Sequence, residues 1–112
     1  MKQNEFNTHV ESILNDIKDL LITKGKEYTL NNDDRLCNFR QAALLQNTTN
    51  EKALLGYVSK HIIALFNKVD TLALINTKNL SAEDYDKFHE YIYDIIVYMT
   101  LLSALLKERT KI

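Results

Sequence analysis

One aspartate inside an apolar stretch carries more chemical consequence than any other residue of this chain. Asp94 is the single charge in the run 91–106. An ionised carboxylate in apolar surroundings is costly unless it is compensated, so Asp94 should be paired, protonated or facing a polar pocket. Glu90 lies four residues earlier, which puts both carboxylates on one face of a helix. Such a pair can hold a divalent cation through hard oxygen ligands. Alternatively, Asp94 forms an ion pair with a Lys or Arg of another helix or subunit.

Two further groups of residues invite a chemical reading. Lys60 and His61 are adjacent, and His61 has Tyr57, Ala64, Leu65 and Lys68 as helical neighbours, so it borders an apolar stripe. It reads either as a hydrogen-bonded packing residue or, with Lys60, as a phosphate-binding pair. Arg35 and Asn38 are three apart and would point the same way on a helix. Arginine forks onto phosphate and asparagine can hydrogen-bond a base or ribose; the plainer reading is a capped, charged helix start with Leu36 and Phe39 in the core. No glycine-rich phosphate loop, nucleophile elbow or zinc-hydrolase histidine pattern occurs in the sequence. The six tyrosines, Tyr91, Tyr93 and Tyr98 among them, read as packing and interface residues.

These side chains need elements to position them, and the pattern predicts four helices. The chain has no proline and only two glycines, Gly25 and Gly56. Sheet proteins need turn residues at regular intervals, so their scarcity argues for a few long helices. A first helix is expected over 4–24, with Phe6, Val10, Ile13, Leu14, Ile17, Leu20 and Leu21 at helical spacing and Gly25 as its stop. The polar stretch 26–32 reads as a loop. Asp33 or Asp34 then caps a short second helix ending near Gln46. Thr48 and Glu51 stand at capping-box spacing for a third helix reaching about Asn76. Ser81 and Asp84 suggest a similar cap for a fourth, running to about Lys107.

On the fourth helix, Phe88, Ile92, Ile95, Met99, Leu102 and Leu106 make one face, while Tyr98, Leu101 and Leu105 lie well round from it. A helix apolar on most sides needs partners on most sides. The expected architecture is an all-α, four-helix-bundle-like single domain over 1–112, assembled as a homo-oligomer that buries the remaining apolar surface.

Composition narrows the class further. The 112 residues are 46% hydrophobic and 26% charged, ordinary for a globular domain. A net charge of −1 and a pI near 6.3 lack the basic excess of duplex nucleic-acid binders. Lys107, Arg109 and Lys111 cluster at the end of the last helix, where cations offset its dipole. One cysteine, Cys37, precludes an intrachain disulfide and fits a reducing cytosol. The polar start of the chain reads as carrying no signal peptide. The run 91–106 is shorter than the roughly 20 residues that span a bilayer, so it reads as a buried helix.

In order, KGKEYTLNNDDRLCNFRQAA from Lys24, ALLGYVSKHIIALFNKV from Ala53 and HEYIYDIIVYMTLLSALL from His89 form a recognisable series. The series resembles small phage and prophage proteins of the nucleotide-modification-associated type, distantly related to the MazG-type all-α nucleotide pyrophosphohydrolases. The resemblance covers about 24–106, and its DRLCNF and KH elements are the more specific parts. It implies recurring roles for Asp34, Arg35, Asn38, Phe39, Lys60, His61, Glu90, Asp94 and Tyr98. Asn67 stands where such relatives have an aspartate, and Val97 where they have an asparagine. The MazG-type Mg²⁺ site sets a run of glutamates on one helix against an acidic pair on the next. Here the third helix has no acid between Glu51 and Asp70, leaving Glu90 and Asp94, with Glu27 or Asp34 as substitutes.

Resemblance and residues together give one leading expectation: a protein that binds a nucleotide or nucleotide messenger in an inter-helix pocket. Lys26, Arg35, Lys60 and His61 would contact phosphate, Asn38 and Tyr98 the base or sugar, and Asp94 would join them. Glu90 and Asp94 are the metal candidates, with Mg²⁺ the expected ion. Catalysis on a triphosphate needs metal held by several carboxylates, so the missing acids favour sequestration over Mg-dependent pyrophosphohydrolysis. The rival class is a phage anti-defence protein that inhibits a bacterial immune enzyme by protein–protein contact. Its docking surface would be the acidic faces around Glu83, Asp84 and Asp86, or Asp16 and Asp19. Neither duplex nucleic acid nor a membrane is an expected partner, and the host bacterial cytosol is the expected compartment.

Overall fold

The computed structural model describes residues 1–23, 25, 33–74 and 79–110. The described residues are helical with no strand: α1 (Gln3–Lys18), α2 (Cys37–Gln46), α3 (Asn50–Asp70) and α4 (Ala82–Glu108). The chain divides into two compact units, Met1–Asn38 and Phe39–Ile112, with the boundary inside α2.

In the first unit, α1 opens with the Lys2 N–H donating to the Glu5 carboxylate at 3.4 Å. Its end is not a simple stop. The helix widens to π geometry over Asp19–Thr23. Gly25 does not adopt the left-handed conformation expected of a helix-terminating glycine. It is buried, and a Cβ built there would lie 2.9 Å from Nε of Arg35. The close approach is to the end of a flexible side chain, so a Cβ at this position would displace the Arg35 guanidinium. Among the described residues of this unit, Ile17 and Leu36 are the buried large apolar ones.

Asp34 sets up α2, as the sequence predicts. Its carboxylate accepts the Leu36 N–H at 3.0 Å and its carbonyl accepts the Cys37 N–H at 3.2 Å. The helix therefore starts at Cys37, and Arg35 lies in the turn before it. Three-residue helical spacing consequently does not align Arg35 with Asn38. The other end of α2 is closed by Asn47 at φ 51. The Thr48 N–H donates to the Ala43 carbonyl at 3.0 Å and the Asn47 N–H to Leu44 at 3.3 Å. Together they complete a Schellman motif, with asparagine taking the left-handed position usually given to glycine.

The second unit is built on α3 and α4. The cap of α3 is Thr49 rather than Thr48: its side-chain oxygen accepts the Lys52 N–H at 3.2 Å. The cap thus falls one residue after the expected Thr48–Glu51 capping box, and Glu51 is left for another partner. Ser81 caps α4 as expected, accepting the Asp84 N–H at 3.1 Å. Past Asp70, α3 tightens to a 3₁₀ turn over Thr71–Leu74.

The two long helices run antiparallel, because contacts near the start of one fall near the end of the other. Glu51 meets Arg109, Tyr57 meets Tyr98, His61 meets Asp94, and the Lys68 ammonium lies 5.6 Å from the Phe88 ring centre. Leu54 and Val58 of α3 are fully buried, with Phe88, Leu101 and Leu105 of α4 also in the core. Ala42, Ala43 and Ala53 form a small cluster where α2 meets α3. Of the two apolar sets on α4, Leu101 and Leu105 are inside together with Phe88, while Met99 and Leu106 are exposed. A helix apolar on most sides does not reveal by periodicity which side packs. Gly56, in the middle of α3, has open space where a Cβ would be, although interior glycine costs about 1 kcal/mol relative to alanine.

The last turn of α4 is fastened twice. Arg109 donates from Nε and from Nη2, the latter at 2.8 Å, to the two carboxylate oxygens of Glu51. Arg40 of α2 donates to Glu108 at 2.6 Å. Arg109, expected only to offset the helix dipole, thus ties α4 to the start of α3. Among the described residues no helix is long and apolar enough to cross a membrane.

Candidate functional site

The side chains that converge in the second unit are His61 and Tyr57 from α3, Asp94 and Tyr98 from α4, and Phe39 from α2. One helical turn separates Tyr57 from His61 and also Asp94 from Tyr98, so the antiparallel pair sets two i,i+4 couples against each other. Nδ1 of His61 lies 3.3 Å from Oδ2 of Asp94. The His61 ring leans on Tyr98, with centres 4.9 Å apart and planes tilted by 40°. Tyr98 in turn lies parallel to Tyr57, with centres 6.5 Å apart and planes within 4°. Phe39 meets Tyr57 edge-on at 6.1 Å. These separations fall in the range of favourable aromatic pairs, which fixes the rings relative to one another.

Asp94 therefore does not sit in an apolar interior. Its side chain is 52% exposed, and its charge faces a histidine of the neighbouring helix. The pairing alternative anticipated a Lys or Arg; the geometry supplies His61 instead. A carboxylate at one ring nitrogen orients the imidazole and leaves its other edge for a ligand. The outer edge of the imidazole can face a polar ligand, and the second Asp94 oxygen can accept from a hydroxyl or amine.

The other predicted positions are more dispersed. Lys60 is exposed, about 100° round α3 from His61 by helical geometry. Glu90 is exposed one turn before Asp94 and contributes to raising the Lys87 pKa, after the larger effects of the Glu83 and Asp84 carboxylates. Arg35 and Asn38 belong to the first unit: the Arg35 guanidinium packs on Gly25, and Oδ1 of Asn38 accepts from the Cys37 thiol at 3.7 Å. Lys26 and Glu27 lie outside the described residues, as does Lys111. Glu83 and Asp84 occupy the first turn of α4, where negative charge complements the helix dipole, and Glu83 pairs with Lys87 at 3.2 Å.

Sequence reasoning did not assign Tyr57 to the site, and it had Phe39 only among the positions the resemblance implies. Tyr57 carried a signal, standing one turn before His61; Phe39 becomes adjacent only through packing of α2 on α3. For metal, the described residues offer Glu90 and Asp94 from one helix, with Asp94 already facing His61. No group of three His, Cys, Asp or Glu among them could hold an ion.

A separate electrostatic feature lies at the end of the helix pair. The Arg109 hydrogen bonds hold the Glu51 carboxyl down at about 2, reinforced by a backbone hydrogen bond and by the Arg109 charge. Reciprocally, Glu51 raises the Arg109 pKa.

No known protein family, curated protein or solved structure matches this chain.

Proposed function

We propose that this protein is a nucleotide-binding helical protein that sequesters a nucleotide or nucleotide messenger as a homo-oligomer. The observation that supports it most is the His61–Asp94 pair set against the parallel Tyr57 and Tyr98 rings across α3 and α4. An oriented imidazole contacts phosphate, Lys60 adds a point charge from the next position, and Tyr98 with Asp94 addresses the sugar or base. Arg35 and Asn38 of the first unit are proposed as ligand contacts from the residues and the family resemblance, and Lys26 from its residue type alone. That resemblance, to phage nucleotide-modification-associated proteins, also motivates the nucleotide class. Sequestration is favoured over hydrolysis because Glu90 and Asp94 are the acids left from a carboxylate-rich scheme, and hydrolysis of a triphosphate leans on metal held by several.

The test is incubation of the protein with ribo- and deoxynucleoside triphosphates and cyclic nucleotides, with and without Mg²⁺ or Mn²⁺. Free small molecules are then resolved by chromatography before and after heating. Sequestration predicts a peak that disappears and returns intact on heating. A new product overturns sequestration in favour of an enzyme. No depletion of any ligand overturns nucleotide binding altogether.

A further inference from the structure

About 100° round α3 from its buried stripe runs an apolar seam that the rest of the second unit leaves open. Leu55 is 46% exposed, Ile62 37%, Phe66 65% and Val69 46%. With exposed Ser59 they recur at alternating steps of four and three residues along α3. That is the heptad spacing of a helix which packs lengthwise against another. It differs from the stripe of buried Leu54 and Val58 and half-buried His61, which faces α4 and the site.

We infer that this seam is the two-fold interface of a dimer in which α3 of one copy packs antiparallel on α3 of another. The inference rests on the homo-oligomer reading and names its contact surface. Three features select a second copy as the occupant. Pairing about Ile62 sets Leu55 against Val69, Ser59 against Phe66 and Ile62 against itself, so the largest exposed ring meets the smallest side chain. A single patch that complements itself is what a two-fold dimer requires. Gly56 borders the seam one turn before Ser59 and has nothing within 4 Å of its Cβ position. Its cost to the isolated helix is offset where another backbone comes close. Finally, exposed Lys52 near the start of α3 and exposed Asp70 at its end carry opposite charges. Antiparallel pairing brings Lys52 of each copy to Asp70 of the other, whereas parallel pairing superposes like charges.

Light scattering with size-exclusion chromatography, followed by cysteine cross-linking, tests the inference. The wild type is expected as a dimer or a dimer-based oligomer. Ile62→Asp and Phe66→Asp should lower its mass by at least half while leaving the helical circular dichroism intact, since both positions are exposed. In a Cys37→Ser background, Ile62→Cys should cross-link to itself on mild diamide oxidation. Leu55→Cys and Val69→Cys should cross-link when mixed but not alone. Self-cross-linking of Leu55→Cys and Val69→Cys overturns the antiparallel arrangement. An oligomer unchanged by Ile62→Asp overturns the seam and leaves oligomerisation standing. A monomeric wild type overturns both.

Discussion

Replacing Asp94 with asparagine keeps the shape of the side chain but removes the charge that faces His61. Nucleotide capture should then weaken by roughly ten-fold or more, the scale of losing an oriented, charge-assisted contact of about 1.5–3 kcal/mol. His61→Ala should weaken it at least as much, while Tyr98→Phe, which keeps the ring contacts, should cost less; isothermal titration measures all three. Equal affinity in all three variants would remove the site from the α3–α4 face. The second residue-scale prediction concerns pH. Because Glu51 titrates at about 2 when folded, against 4.5 ordinarily, its contribution to stability is complete above the ordinary value. It fades as pH falls through that value towards about 2. Thermal melts between pH 5 and 2.5 should therefore show a steeper loss for the wild type than for Glu51→Gln. At this scale the sequence was half legible. Asp94 stood out as a charge in an apolar run, and its need for a partner followed from that alone. That the partner is His61 depends on helix register, which no local pattern encodes.

Helix boundaries depend on one or two hydrogen bonds each, so they respond to single substitutions. Thr49→Ala removes the acceptor for the Lys52 N–H and should cost about 1 kcal/mol by urea denaturation. Thr48→Ala should cost far less, which separates the observed cap from its neighbour. Asn47 holds a left-handed φ of 51. Asn47→Gly should therefore be neutral or mildly stabilising, whereas Asn47→Val should destabilise α2 through its β-branched side chain. The caps at Ser81 and Asp34 were legible because short polar side chains preceded clear helical periodicity. The cap of α3 was ambiguous because two threonines stand side by side, each with a suitable spacing downstream. The packing face of α4 was not legible at all, since nearly every position from Tyr91 to Leu106 is apolar and only α3 decides which ones are covered.

Across the whole molecule, the all-α class followed from the absence of proline, the two glycines and the helical spacing of apolar residues. Tertiary register did not, because the α3–α4 pairing joins residues far apart in the chain. Leu54 is fully buried between these helices, so Leu54→Ala should cost about 2–5 kcal/mol by denaturant titration. A similar truncation at exposed Leu55 should leave the stability of an isolated subunit nearly unchanged. The double fastening at the end of α4 has a kinetic consequence. Glu108 and Arg109 join Arg40 and Glu51 across separations of 68 and 58 residues, and closing such long loops is entropically expensive. These clasps should therefore form after the folding barrier, acting on the rate of escape from the native state rather than on arrival at it. In a chevron experiment, Arg109→Ala should raise the unfolding limb and leave the refolding limb in place. The two ion pairs would then be a latch on the lifetime of the fold, set at the point where the chain closes on itself.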